Sequence, residues 1–275
     1  MAGKFLSIAQ IVAQQYSLSN ISFFDNGTFK ETYKSEDKHG NLFAVKVLDP
    51  TKCSSCRPQR EIDAALKCDS PHIAKLIEYG TKDHKGQMYL FTIEEFFLGG
   101  TLQSRNPITP GTARNYASIL AEAISYLKSL DLVHRDIKPA NIMFRHGKDS
   151  PILVDFGIVR DLRRTSATLT WLPRGPCTPF FAAPEQLNNE KNLIGWRTDQ
   201  FCVGITLAYC LTGRHPYQQE MMTPDQAIDE VGRKGSYSKE FSEYATRNGV
   251  EFILGMIEAW PVRRYQTVDA LLKAI

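Results

Sequence analysis

The chain has 275 residues, of which 43% are hydrophobic and 23% charged, values that belong to a folded protein and exclude wholesale disorder. A net charge of +3 is too mild to make nucleic acid or an anionic membrane surface the expected main partner. The length allows one large domain or two lobes.

The first 20 residues place Phe5, Ile8, Val12 and Tyr16 at helical spacing, which reads as a docking stripe and not as a membrane anchor. The apolar stretch Phe5–Ala13 is broken by Gln10 and makes a poor export signal, so a cytoplasmic location is expected. Short strands follow. Residues 21–24 and 29–34 flank the turn residues Asp25-Asn26-Gly27-Thr28, and Lys38-His39-Gly40-Asn41 is a second turn. Leu42–Leu48 is a third strand, with Leu42, Ala44, Lys46 and Leu48 on one face and Phe43, Val45 and Val47 on the other. Gln59–Leu66 has helix formers, and Ile73–Tyr79 and Met88–Phe97 are further strands. Cys53 and Cys56 have metal-ligand spacing, but no second pair completes a zinc pattern. With Cys68, Cys177, Cys202 and Cys210 they read as reduced, solvated or core thiols.

After Gly99-Gly100 the character changes. Thr109 and Pro110 open an amphipathic helix with apolar residues at Ala113, Tyr116, Ala117, Leu120, Ile124 and Leu127. Thr198–Leu211 is a second helix, apolar nearly all round and closed by Gly213. Its run Phe201–Leu211 is about half the length that a bilayer requires. Short helical patterns fill residues 222–275. The organisation expected is an N-terminal extension over 1–20, a strand-rich part over 21–97 and a helical part over 98–275.

Three clusters in the helical part carry chemistry. They are His134-Arg135-Asp136-Ile137-Lys138-Pro139-Ala140-Asn141, then Asp155-Phe156-Gly157 after the apolar Ile152-Leu153-Val154, and Ala183-Pro184-Glu185. Asn141 follows Asp136 by five residues, and Asp155 follows Asp136 by 19. With Ala44-Val45-Lys46 on the third strand, they resemble the signature set of eukaryotic-type serine/threonine protein kinases, in a form similar to the bacterial members. The resemblance runs from about residue 20 to 273, in order and spacing.

It implies an α+β, bilobal protein-kinase-like fold, with a small β-rich N-lobe carrying one main helix and a larger, mostly α-helical C-lobe. It implies ATP as phosphoryl donor with Mg²⁺, Mn²⁺ being the alternative ion, and a protein substrate with a Ser or Thr acceptor. Asp136 would orient the acceptor hydroxyl, Lys138 would meet the γ-phosphate, and Lys46 would hold the α- and β-phosphates with Glu61 as its anionic partner. Asn141 and Asp155 would ligate the metal. Gly27, Ala44, Glu95, Phe97 and Met143 complete the nucleotide-contacting set, with Glu95 to Phe97 as the hinge. Thr178 and Lys138 point to the serine/threonine branch. Glu185 and Arg264 would form a structural ion pair, and Asp199 would begin the buried helix. Thr165, Ser166, Thr168 and Thr170 are candidate phosphorylation sites, with Arg135 as the receiving arginine and self-association as the route to autophosphorylation.

Two departures from the family pattern stand out. The glycine-rich loop has Asp25, Gly27 and Lys30 at its three glycine places, so Asp25 would repel phosphates and Lys30 would offset it. Glu94 falls at the residue guarding the back pocket, a place normally apolar or Thr. The degraded loop keeps a second reading open, a nucleotide-binding scaffold without turnover. A small-molecule kinase of the same fold is the third.

Overall fold

A computed structural model of the chain describes residues 3–27, 30–51, 66–155 and 178–275. The expected helix Gln59–Leu66, with Glu61, Cys53 and Cys56, lies outside the described residues except at its end. So do Phe156, Gly157 and the candidate phosphorylation sites. The described chain forms two compact units that divide between Leu98 and Gly99.

The first unit is an antiparallel sheet in the order β1-β2-β3-β5-β4. Its strands are β1 Ser19–Asn26, β2 Lys30–Glu36, β3 Leu42–Leu48, β4 Leu76–His84 and β5 Gln87–Glu95. The period of two seen in the sequence of β3 decides both faces. In register, Ala44 sits opposite Glu94 and Lys46 opposite Thr92, so these four side chains share one face. Val45, Val47, Phe91, Ile93 and Tyr33 form the other face, and a helix covers them. The strand expected over 73–79 begins instead at Leu76 and runs on to His84. Cross-strand pairing with Gln87–Glu95 carries the polar Thr81–His84 stretch, although its own sequence has little strand pattern.

That covering helix is α1, Leu6–Gln15. Its stripe is buried as expected: Phe5, Ile8, Ala9 and Val12 pack into the sheet, with Tyr16 beside them. No side chain of its own caps it. Glu31 of β2 does so from across the interface, its carboxylate accepting the backbone N–H groups of Lys4 at 2.9 Å and Phe5 at 2.8 Å. A carboxylate is well placed there, where unpaired amides and the positive end of the helix dipole meet. Tyr33 donates to the same carboxylate at 2.5 Å. Burial first, and Glu31 second, push its phenol up, so it stays a donor.

The second unit is mainly helical: α2 Pro110–Ser129, α3 Pro184–Leu187, α4 Trp196–Thr212, α5 Pro224–Gly232, α6 Lys239–Arg247, α7 Phe252–Met256 and α8 Val268–Ala274. A two-stranded ribbon of β6 Ile142–Phe144 and β7 Pro151–Leu153 joins them. Thr109 caps α2 by accepting the N–H of Thr112 at 3.1 Å, with Pro110 at the first helical position. Helix α4 is buried on almost every face and ends at Gly213, whose φ of +71° closes the last turn. Among the described residues no helix is long and apolar enough to cross a membrane. The described cysteines Cys68, Cys202 and Cys210 are buried thiols. Burial raises the Cys68 thiol to about 11 and that of Cys210 to about 12, which keeps them protonated and unreactive.

Because Ile8 is 1% exposed in the core under the sheet, Ile8→Ala is expected to lower the unfolding free energy by about 2–4 kcal/mol in urea titrations. A loss below about 0.5 kcal/mol would mean that α1 contributes nothing to this core.

Candidate active site

In the helical unit the HRD loop is fixed by groups buried beneath it. Asp199 of α4 accepts the backbone N–H of His134 and of Arg135, each at 2.8 Å. Arg135 takes φ +67°, a conformation that needs such support in a residue with a side chain. His134 is fully buried. Its Nε2 donates to the Val154 carbonyl at 2.9 Å, and its Nδ1 accepts the Asp136 N–H at 3.3 Å. That pair of bonds selects the neutral tautomer protonated at Nε2. Gln186, just after the Ala-Pro-Glu cluster, donates to the Arg135 carbonyl at 2.8 Å. Thr206 of α4 donates to that of Ile137 at 3.4 Å. Sequence motifs alone assign Gln186 no role; its place beside Glu185 on a buried turn is the available signal.

The loop so held brings four expected residues together. Thr178 donates to Asp136 Oδ1 at 2.8 Å and accepts from Lys138 Nζ at 2.9 Å. Lys138 Nζ lies 3.2 Å from Asp136 Oδ2. Asn141 Nδ2 donates to Asp136 Oδ2 at 3.1 Å and to its backbone carbonyl at 2.8 Å. A carboxylate oriented in this way can accept a hydrogen bond from a hydroxyl. Val154 N–H donates to the Asn141 carbonyl at 3.0 Å, which ties Asn141 next to Asp155, itself at φ +63°. Met143, half-buried on β6, pairs with Ile152 and bridges to Thr101. Gly99 approaches the Phe144 carbonyl so closely that a Cβ would lie 2.4 Å from it.

Glu185 and Arg264 form the expected ion pair, fully buried and two-pronged, at 2.7 and 2.9 Å. Arg264 also donates to the carbonyls of Glu258, Arg197 and Ala259, so all five guanidinium donors are used. Thr198 donates to Glu185 at 2.8 Å. A buried pair satisfied to this degree fixes geometry, and breaking it would strand a charge.

In the sheet unit, Lys46 is buried and its Nζ is bonded to Glu94 Oε2. Thr92 donates to Glu94 Oε1 at 2.9 Å. The anionic partner expected for Lys46, Glu61, lies outside the described residues, and the sequence reading did not connect Glu94 with Lys46. The signal was present: Ala44 and Lys46 share a face, and a two-residue diagonal on the neighbouring strand reaches that face. Glu95 donates its backbone N–H to the Lys75 carbonyl at 3.2 Å, and its carboxylate accepts the Lys75 N–H at 3.1 Å. Phe97 is buried. At the glycine-loop position, Asp25 is exposed and Gly27 donates its N–H to the Lys30 carbonyl at 2.9 Å.

A cavity of about 360 Å³ opens beside Lys138 and Thr178, lined also by Gln103, Phe180, Phe181 and Tyr209. His215 packs edge-on against the lining residue Phe180, with ring centroids 4.9 Å apart. Its Nδ1 accepts the Tyr217 N–H at 3.1 Å.

Two outcomes follow from these buried groups. Asp199→Ala leaves two loop amides without their acceptor, so stability in urea should fall by about 3 kcal/mol; an unchanged midpoint would remove Asp199 as the loop's anchor. Burial lowers the His215 pKa to about 4. The unfolded chain therefore takes the proton first, and stability present at neutral pH is lost as pH falls from about 6.5 to about 4. The fall in unfolding free energy between pH 7 and pH 5 should shrink by about 2 kcal/mol in His215→Gln. Equal slopes for the two proteins would refute this.

Comparisons with known proteins bear on the family and the fold. A family model described as the protein kinase domain matches residues 21–274. Serine/threonine-protein kinase D of Synechocystis is 27% identical over 264 residues, covering 91% of this chain and 50% of that protein. Serine/threonine-protein kinase PknD of Mycobacterium tuberculosis is 29% identical over 220 residues, covering 78% of this chain and 32% of its own. The chain thus spans half or less of the length of these relatives. The crystal structure of Rad53 1–466 in complex with AMP-PNP has the same fold, with a TM-score of 0.69 at 24% identity, over 96% of this chain and 68% of that one. The chain belongs to the protein kinase domain family.

Proposed function

We propose that the chain is an ATP-dependent serine/threonine protein kinase. The observation that carries the reading is the set of contacts on Asp136: Thr178, Lys138 and Asn141 all meet its carboxylate. In phosphoryl transfer the protein's task is to position the acceptor and to neutralise charge. Asp136 would take the hydrogen bond of an incoming Ser or Thr hydroxyl and align its oxygen with the γ-phosphorus. The new O–P bond forms as the bond to the ADP oxygen breaks, and the hydroxyl proton passes to Asp136. Lys138 would stabilise the charge on the transferring group. Lys46 would take the α- and β-phosphates, within the nucleotide-contacting set named from the sequence.

The donor set suits a hard divalent cation. Asn141 commits its amide nitrogen to Asp136, which leaves its carbonyl oxygen as a ligand, and Asp155 adds a carboxylate next to it in the fold. When bound, Mg²⁺ would neutralise the charge of the phosphates. A protein acceptor is favoured over a small molecule because the Thr178–Leu187 segment binds directly to the catalytic loop through Thr178 and Gln186. Autophosphorylation between copies at Thr165, Ser166, Thr168 or Thr170 belongs to the same proposal.

Purified chain incubated with labelled ATP and Mg²⁺ should label Ser or Thr residues mapped by mass spectrometry. Asp136→Asn should reduce this at least about a thousandfold while calorimetric ATP affinity stays within about threefold. Undiminished labelling by the variant would sink the role of Asp136. Nucleotide binding without labelling in the unaltered chain would favour the scaffold reading.

A further inference from the structure

Lys46 and Glu94 are each 6% exposed, and they lie on one face of the sheet on adjacent strands. A buried ammonium without a counter-charge is strongly disfavoured. Glu94 supplies that charge from inside the sheet, through the bond between Oε2 and Lys46 Nζ. Its other oxygen is held by Thr92, a residue 1% exposed. The carboxylate is therefore fixed at both oxygens on strands whose backbones are paired in register.

We infer that Glu94 is a positioning residue for nucleotide binding, a counter-ion built into the sheet that holds Lys46 charged and oriented before the phosphates arrive. The inference rests on the kinase reading, because it assigns Lys46 to the phosphates. A lysine carries a flexible four-carbon stem whose rotamer freedom would otherwise be lost on binding. Glu94 removes much of that freedom in advance. An ammonium has three donors, so it can serve Glu94 and phosphate oxygens together. The resulting order of charges, carboxylate, ammonium, phosphate, is attractive across each adjacent pair. This gives a function to the acidic residue at a place where the family pattern has an apolar residue or Thr.

The test is calorimetric binding of AMP-PNP with Mg²⁺, which does not depend on turnover. Glu94→Gln should weaken affinity about tenfold. In a Lys46→Met background the same change should shift affinity by less than about twofold, because Glu94 acts through Lys46. Equal or tighter binding by Glu94→Gln would overturn the proposal, and so would a full tenfold loss in the Lys46→Met background. If Glu94→Gln does not fold, Thr92→Val decides: it keeps the ion pair but frees one carboxylate oxygen, and should weaken binding about threefold. Unchanged affinity in Thr92→Val would then overturn it. If the unaltered chain binds nucleotide and labels protein but these variants bind as it does, the kinase reading stands and the role of Glu94 falls.

Discussion

The HRD loop depends on one buried carboxylate. Asp199 accepts two consecutive backbone N–H groups, and these bonds hold Arg135 in a conformation that it would not otherwise adopt. Everything downstream follows from that turn. His134 can then bridge Val154 and Asp136, and the side chain of Asp136 meets Thr178, Lys138 and Asn141. Helix α4 can carry Asp199 because its own place is secure: it is apolar on nearly every face, and Thr198 at its start is bonded to Glu185. The Glu185–Arg264 pair extends that anchorage to the segment between α7 and α8. Burial pushes the Asp199 carboxyl up, against the pull of its two amide donors. Packing, polar bonding and the site are thus one construction in this unit.

How much of this could be read in the residues varied with the range of the interaction. Strand β3 was legible to the residue, because alternation of period two is a local signal and both of its faces are used. The docking stripe of α1 was legible for the same reason at period 3.6. Strand β4 was misplaced by three residues at its start: its C-terminal half is polar, and only pairing with β5 makes it a strand. Of the candidate site, Asp136, Lys138, Asn141 and Thr178 stand out in the short motifs, and the fold brings these four side chains together. The role of Gln186 was not, because its partner, the Arg135 carbonyl, is 51 residues away and is a backbone atom.

The Lys46–Glu94 contact shows the same limit from the other side. Both residues were singled out from the sequence, one for phosphate and one as an oddity. What joins them is strand register, which no single-strand pattern contains. The glycine loop is a related case. Asp25 was expected beside the phosphates, and it stands exposed on β1 opposite Thr32. Its charge meets water there, which weakens any repulsion that it could exert.

The Glu31 carboxylate makes the first helix part of the sheet's architecture. Val45 and Val47, the neighbours of Lys46 on β3, have their side chains under α1, together with Phe91 and Ile93. If α1 were peeled away, a continuous apolar β surface would face water while β1 remained an open edge. Such a surface invites pairing between chains. In the cell, loss of this short helix would convert a folded kinase domain into a client of chaperones and proteases, with abundance falling before any change in chemistry could be observed.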